Sequence, residues 1–287
     1  MKLSIRPYER HDENAVLQLV EADILPGQPA VTNAMLSDAL AGRSTVDSSW
    51  WDELDPAVTE VAHDTTGQVL GVVSYATRAR DRAGVILWLH CSEDQTIATI
   101  LLNHALSQLG HKRTIHAFEF ATALSLGLEA FPVRHRPATH RALTESGFTG
   151  EDLWRYMRAS LPMPDLPRAA GIEVSPAADH PGQRLMIRRN GDVIAEAVIG
   201  TPFAGVGVLW WISVEPVARG QRIGLALLGS AVDLLAELGA EEVILFVDDD
   251  AAPGDSERDR TAANRMYDRA GFEEVDRLLS FTRPSPS

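Results

Sequence analysis

Apolar positions along the chain follow two spacings, and stretches of one are punctuated by stretches of the other. Short apolar or alternating runs bounded by turn residues read as strands: "LSIRPY" at 3–8, "VTEVAHD" at 58–64, "VLGVVSYATRA" at 69–79, "GVILWLHC" at 84–91, "TIHAFEF" at 114–120 and "LWRYMRASL" at 153–161. Between them, apolar residues recurring every three to four positions predict helices over "ENAVLQLVEAD", "TNAMLSDALAG", "IATILLNHALSQLG" and "ATHRALTESGF". From residue 171 the order returns. "GIEVSP" is a strand, and "RLMIRRNGDVIAEAVIG" is a hairpin about an Asn190-Gly191 turn. "VGVLWWISVE" is a strand, "GLALLGSAVDLLAELG" a helix, "EEVILFVDD" a strand, "TAANRMYDRAGF" a helix and "VDRLLSFTR" a closing strand. The pattern predicts an α/β protein whose sheets are mixed and mostly antiparallel.

The return is a repeat. Leu87-Trp88 and Leu209-Trp210 end equivalent strands, and Gly147-Phe148 and Gly271-Phe272 close equivalent helices, at nearly the same spacing. "LPMPDLPRAAG" at 161–171, with three prolines and a glycine, breaks structure where a boundary is needed. The expected domains are therefore 1–164 and 165–287. The second copy lacks one feature: "AADHPGQ" is too short for the two helices found at that place in the first.

Composition narrows the picture modestly. A formal net charge of −14 disfavours nucleic acid and anionic membrane as partners and favours cationic ones. The single cysteine, Cys91, excludes an intrachain disulfide and a cysteine-based metal site, and after "VILWLH" it reads as a small buried hydrophobe. His135 and His140 lack acidic or cysteine partners at useful spacing, so no metal is expected. With neither a signal-peptide core nor a membrane-length apolar run, the expected compartment is the cytoplasm.

The chemistry gathers at "EPVARGQRIG", between a strand and the long helix of the second half. A helix start leaves backbone N–H groups unpaired and carries partial positive charge, and glycines let that backbone approach phosphate oxygens. The natural ligand is a phosphate-bearing cofactor, although a tight turn before a helix would read the same way.

The wider second half resembles the GNAT N-acetyltransferase superfamily. The family pattern Arg/Gln-x-x-Gly-x-Gly/Ala, after a strand ending near Val-x-Pro, reads here as "ISVEPVARGQRIG". Arg219 takes the first position and Gly224 the last, while Arg222 replaces the middle glycine. The register Gln221-x-x-Gly224-x-Ala226 also fits, but Val214 and Pro216 favour the first. Arg222 keeps its backbone donor, and helical dihedrals at a first turn do not require glycine. The resemblance implies acetyl-CoA, or another acyl-CoA, held by Ile212, Ser213 and Val214 at the strand end, by Arg219, Gly220, Gln221, Arg222, Ile223, Gly224, Leu225 and Ala226 at the turn and helix start, and by Asn264 and Tyr267 beyond. It further implies a bulged strand that splays from its neighbour, with an N–H near Val214 polarising the thioester carbonyl. Tyr267 would act as the acid for the departing thiolate. Glu215 is the nearest candidate base, with Asp248 second. The acidic loop 248–259 could gather a cationic amine or simply be solvated.

The first copy lacks these features. Laid over "VARGQRIGLALL", "SEDQTIATILL" puts Glu93 on Arg219, Thr96 on Arg222 and Ala98 on Gly224, and His140 and Leu143 replace Asn264 and Tyr267. It is expected to keep the fold without binding CoA, as in tandem GNAT proteins that pair a degenerate copy with an active one. The expected activity is direct acyl transfer to a primary amine of a small molecule, the acceptor lying between the halves. Two other readings compete: a non-catalytic acyl-CoA-binding or regulatory protein, and an aminoacyl-tRNA-dependent transferase on the same fold.

Overall fold

In the computed structural model, residues 3–44, 46, 48–110, 112–178, 181–248 and 260–285 are described. The first half runs β1 (Ser4–Pro7), α1 (Glu13–Ala22), α2 (Asn33–Leu40), α3 (Ser48–Trp51), β2 (Val58–His63), β3 (Val69–Thr77), β4 (Gly84–His90), α4 (Gln95–Leu109), β5 (Ile115–Ala117), β6 (Phe131–Pro132), α5 (Pro137–Glu145) and β7 (Thr149–Ser160). The second runs β8 (Ile172–Pro176), β9 (Gly182–Arg189), β10 (Asp192–Gly200), β11 (Val206–Val214), α6 (Ile223–Glu237), β12 (Glu242–Asp248), α7 (Thr261–Ala270) and β13 (Glu273–Arg283). Each periodic stretch of the sequence forms its predicted element. The strand expected over 114–120 is the main shortfall: only Ile115–Ala117 pair, and Phe118 turns the chain at φ 59°.

The compact units divide the chain differently from a cut near 165. One comprises Met1–Leu25, Ala30–Leu153 and Asp276–Ser287, the other Pro26–Pro29 and Trp154–Val275. The reason is strand pairing. β7 runs antiparallel to β12 from Trp154↔Asp248 to Ser160↔Glu242, so it completes the second unit. The end of β13 pairs with β5 through Phe281↔Ala117, Thr282↔His116 and Arg283↔Ile115, so it completes the first. Asp276, fully buried, accepts from the N–H groups of Arg134 (3.0 Å) and His135 (2.9 Å), fastening β13 to the segment before α5. Within each unit the order is then the same: β1-β2-β3-β4-β5 followed by β13 in the first, β8-β9-β10-β11-β12 followed by β7 in the second. In both, the fourth strand pairs in parallel with the fifth, β4 with β5 and β11 with β12.

The first unit covers both faces of its sheet. α4 and α5 bury Leu101, Leu102 and Leu143 on one side, and α1, α2 and α3 bury Val16, Leu36 and Trp51 on the other. In the second unit α6 and α7 cover one face, with Leu227, Leu228, Ala231 and Leu235 wholly buried against Leu209, Val243 and Leu245. Over β7 and β12 the other face takes the short 26–29 segment, where the Tyr156 hydroxyl donates to Pro26 O at 2.9 Å. Gly27 is required there. Its φ is +83°, and a Cβ would stand 2.8 Å from Ile244 Cγ2 and 2.9 Å from the Tyr156 oxygen.

Candidate active site

β11 and β12 pair only over their first four residues, Val206↔Glu242 to Leu209↔Leu245. At that point β11 also bulges. It passes from Leu209↔Ile199 to Trp211↔Val198 against β10, leaving Trp210 as the extra residue. Beyond the bulge, β11 follows β10 and no longer pairs with β12. The Glu215 N–H donates to Ile194 O at 2.9 Å, which sets the phase of the ladder. Antiparallel pairs alternate between bonded and non-bonded, so Ser213 and Trp211 bond to β10, while Ile212 and Val214 direct their N–H and C=O groups to the opposite edge. That edge is the one β12 has left. The Val214 carbonyl is taken by Arg219 Nε at 3.0 Å. The Val214 N–H faces the opened edge.

After Glu215 a single 3-10 turn over Pro216–Ala218 leads into Arg219, Gly220, Gln221 and Arg222, all four exposed. Gly220 is left-handed (φ 75°), as the turn demands of a glycine. Arg222 is left-handed too, at φ 62° and ψ 12°, immediately before α6. The expectation of helical dihedrals at Arg222 is therefore wrong: this is a position that favours glycine, occupied by arginine. Gln221 braces the turn, donating to Val217 O (3.2 Å) and accepting from Arg189 (3.2 Å).

α6 starts without a side-chain cap and without an acidic residue in its first turn. Its first i→i−4 bond is from Ala226 N–H to Arg222 O at 3.1 Å. Among the described residues the N–H groups of Ile223, Gly224 and Leu225 are thus the unpaired donors of a helix start, directly after Arg219 and Arg222 in the chain. Their partial positive charge and two full charges make an anion-attracting point on a chain of net charge −14. Gly224 joins the elements: a Cβ there would stand 3.4 Å from both Val214 Cγ2 on β11 and Met266 Sδ on α7.

Tyr267, one residue on from Met266, is 6% exposed and stacks edge-on with Phe272 at 5.6 Å. Burial pushes its hydroxyl pKa well above the ordinary phenol value, so it stays protonated at neutral pH. Asn264, half-buried one turn earlier, accepts from Arg155 of β7 at its side-chain oxygen and donates its amide N–H to Arg260 O at 3.2 Å. Arg155 also binds Asp268 (3.0 Å) and Glu274 (2.5 Å), clamping α7 to β7. Sequence reasoning missed Arg155, since nothing near it on the chain signals a partner more than a hundred residues away. Glu215 is exposed at the end of β11. Asp248, the second candidate base, pairs with Arg260 at 3.3 Å. The remaining acidic loop residues, including Asp249, Asp250, Asp255 and Glu257, lie outside the described residues.

The equivalent turn in the first unit is filled by its own carboxylates. α4 and α6 have the same length, and their starts set Asp94, not Thr96, opposite Arg222. Asp94 caps α4, accepting from Thr96 N–H (2.8 Å) and Ile97 N–H (3.1 Å). Glu93 accepts from Ala138 N–H (2.8 Å), the Thr139 hydroxyl (2.7 Å) and Arg136 Nε (3.1 Å), capping α5. Arg136, nearly buried, also reaches Asp23 at 3.0 Å, which takes a 2.8 Å bond from His90 Nδ1. The sequence does carry one signal for this arrangement: an aspartate directly before a helical run is an N-cap.

A mixed sheet opens here beside an uncapped helix start that follows Arg219 and Arg222, a geometry suited to an extended phosphate-bearing ligand. Residues 149–272 match the acetyltransferase (GNAT) family. Over 110 residues the chain is 32% identical to the mycothiol acetyltransferase of Sanguibacter keddieii, covering 36% of this chain and 32% of that protein. Against the mycothiol acetyltransferase of Beutenbergia cavernae it is 29% identical over 86 residues, covering 30% and 26%. The chain thus spans about a third or less of the length of these curated relatives. Two solved structures share the fold across the chain. One is a GCN5-related N-acetyltransferase from Sphaerobacter thermophilus (TM-score 0.64, 17% identity, covering 99% of this chain and 97% of that one). The other is a tandem GNAT protein from the clavulanic acid biosynthesis pathway (TM-score 0.63, 15% identity, covering 100% and 99%).

Proposed function

We propose that the protein is an acyl-CoA-dependent N-acyltransferase, with acetyl-CoA as donor and the primary amine of a small molecule as acceptor. The observation that carries this reading is the parting of β11 from β12 after Leu209, which leaves the Val214 N–H on an opened edge beside the α6 start. The residues suit a CoA thioester. The N–H groups of Ile223, Gly224 and Leu225, with Arg219 and Arg222, would hold its pyrophosphate. Ile212, Ser213 and Val214 would line its extended arm. When bound, the donor supplies an activated acyl group and a thiolate leaving group.

The Val214 N–H would polarise the carbonyl and steady the charge that develops on its oxygen. Glu215 would relieve the incoming amine of a proton, its exposed carboxylate leaving a path to water. Tyr267, kept neutral by burial, has a proton to give to the departing sulfur. Asn264 would contribute through Arg155, which orders α7 and therefore Tyr267. The net charge favours a cationic acceptor. The first unit would serve the fold without holding donor, since Glu93 and Asp94 occupy its anion-binding positions. The partial match to mycothiol acetyltransferases suggests amine-bearing thiol conjugates as a first acceptor class to test.

Calorimetric titration with acetyl-CoA, followed by an amine screen that reads thiol release, tests the proposal. Micromolar binding at one site and acceptor-dependent thiol release are expected. A chain that binds no acyl-CoA would refute the donor assignment.

A further inference from the structure

The first unit carries a concave site that the proposed chemistry does not use. It has a volume of about 700 Å³ and lies where the turn between β3 and β4 meets the C-terminal end of α4 and the start of β5, with Ser285 closing one side. Its size is that of ordinary small-molecule sites. Arg82, Lys112, Arg113 and His116 line it. On a chain of net charge −14, this convergence of basic side chains stands out.

The acids nearby are already committed. Asp81, also in the lining, binds Arg78 through two hydrogen bonds of 3.1 and 2.9 Å. That hydrogen bonding, with Ala83 N–H and the Arg78 charge, holds Asp81 down to about 2, so it remains a carboxylate matched to Arg78. Glu119 pairs with Arg78 at 2.8 Å and stands 3.7 Å from His116. Lys112 and Arg82 have no carboxylate partner among the described residues, and Arg113 makes a 3.4 Å contact to the neutral Thr77 hydroxyl. The α4 C-terminus contributes opposing charge of about half a unit, which is small against three full cations. Arg82 is held left-handed at φ 60°, a costly conformation for arginine that fixes its position at the tip of the turn.

The geometry points to a binding site for a small ligand bearing clustered phosphates, in the unit whose own helix-start turn is filled by carboxylates. Arginine forks and a lysine point charge together suit phosphate oxygens. The site is separate from the α6 turn, so neither its occupancy nor its test depends on the proposed donor binding.

The test is calorimetry on the full chain with inorganic tripolyphosphate and, separately, ATP, each with and without saturating acetyl-CoA. With saturating acetyl-CoA occupying the α6 turn, one equivalent should bind with a dissociation constant below about 1 mM, any further equivalent seen without acetyl-CoA belongs to the α6 turn, and the tighter probe identifies free polyphosphate or nucleotide as the source. The Arg82→Ser/Lys112→Ser variant, both positions being exposed, should keep its circular dichroism spectrum and bind at least tenfold more weakly. Three results would overturn the proposal: no binding of either probe, loss of binding on adding acetyl-CoA, or unchanged affinity in a folded double variant.

Discussion

Arg222 holds a left-handed backbone directly before α6, at a cost of about 1–2 kcal/mol for a residue with a Cβ. Arg222→Gly should therefore raise stability, by about 0.5–1 kcal/mol once the freedom glycine gains in the unfolded chain is subtracted. Urea denaturation measures this, and acetyl-CoA titration of the same variant separates the two roles of the residue. Weaker binding with greater stability would mean that the guanidinium reaches the donor phosphates. Tyr267→Phe removes a hydroxyl that makes no hydrogen bond among the described residues, so the fold should tolerate it. Turnover should fall by about 10²-fold or more while the acetyl-CoA dissociation constant moves little. Cys91 is buried, and burial pushes its thiol up to about 11. A raised folded pKa means the native state holds its proton where the unfolded state has lost it. This contribution is intact below about pH 9 and declines towards pH 11, by about 1.4 kcal/mol for each step of one in pH. The native thiol should be inert to a disulfide reagent at pH 8 and react only on unfolding.

At the level of elements, the two helix starts have taken opposite solutions to the same problem of unpaired N–H groups. α4 closes its own with Asp94, and α6 leaves its own open beside arginines. Asp94→Ala should cost about 1 kcal/mol, the usual value for an N-cap, measured as a fall in melting temperature. Arg136→Met should cost more, about 3–5 kcal/mol, because it leaves the buried Asp23 carboxylate with His90 alone and removes the cationic partner of Glu93. Burial alone would raise the Asp23 pKa, but the His90 hydrogen bond and the Arg136 charge outweigh it and hold the group below its usual range. The helices themselves were legible. Leu227, Leu228, Ala231 and Leu235 recur at helical spacing on α6, and all four are wholly buried. The polar cluster around Arg136 was not, because Asp23, the His90–Glu93 turn and Arg136 come from three separate stretches and no local pattern links them.

At the scale of the molecule, each unit is finished by a strand from the other half of the chain. A fragment of residues 165–287 would lack β7 and leave one edge of β12 unpaired over seven residues. It would also carry the end of β13 without β5. This fragment should be unfolded or aggregated by circular dichroism and gel filtration, whereas the full chain melts cooperatively. The Pro-rich segment at 161–171 marks where the sequence repeat divides, but strand pairing decides where a compact unit ends. By itself the sequence determined the order and type of the longer elements, the duplication, the asymmetry between the copies and the turn at 219–224, because each rests on spacing and backbone chemistry within a few residues. The tertiary structure alone decided the exchanged strands, the parting of β11 from β12, the Arg155 clamp on Asn264 and the carboxylates that fill the turn of the first unit. These depend on contacts between residues far apart on the chain, where hydrogen-bond register and burial, not local preference, set the outcome.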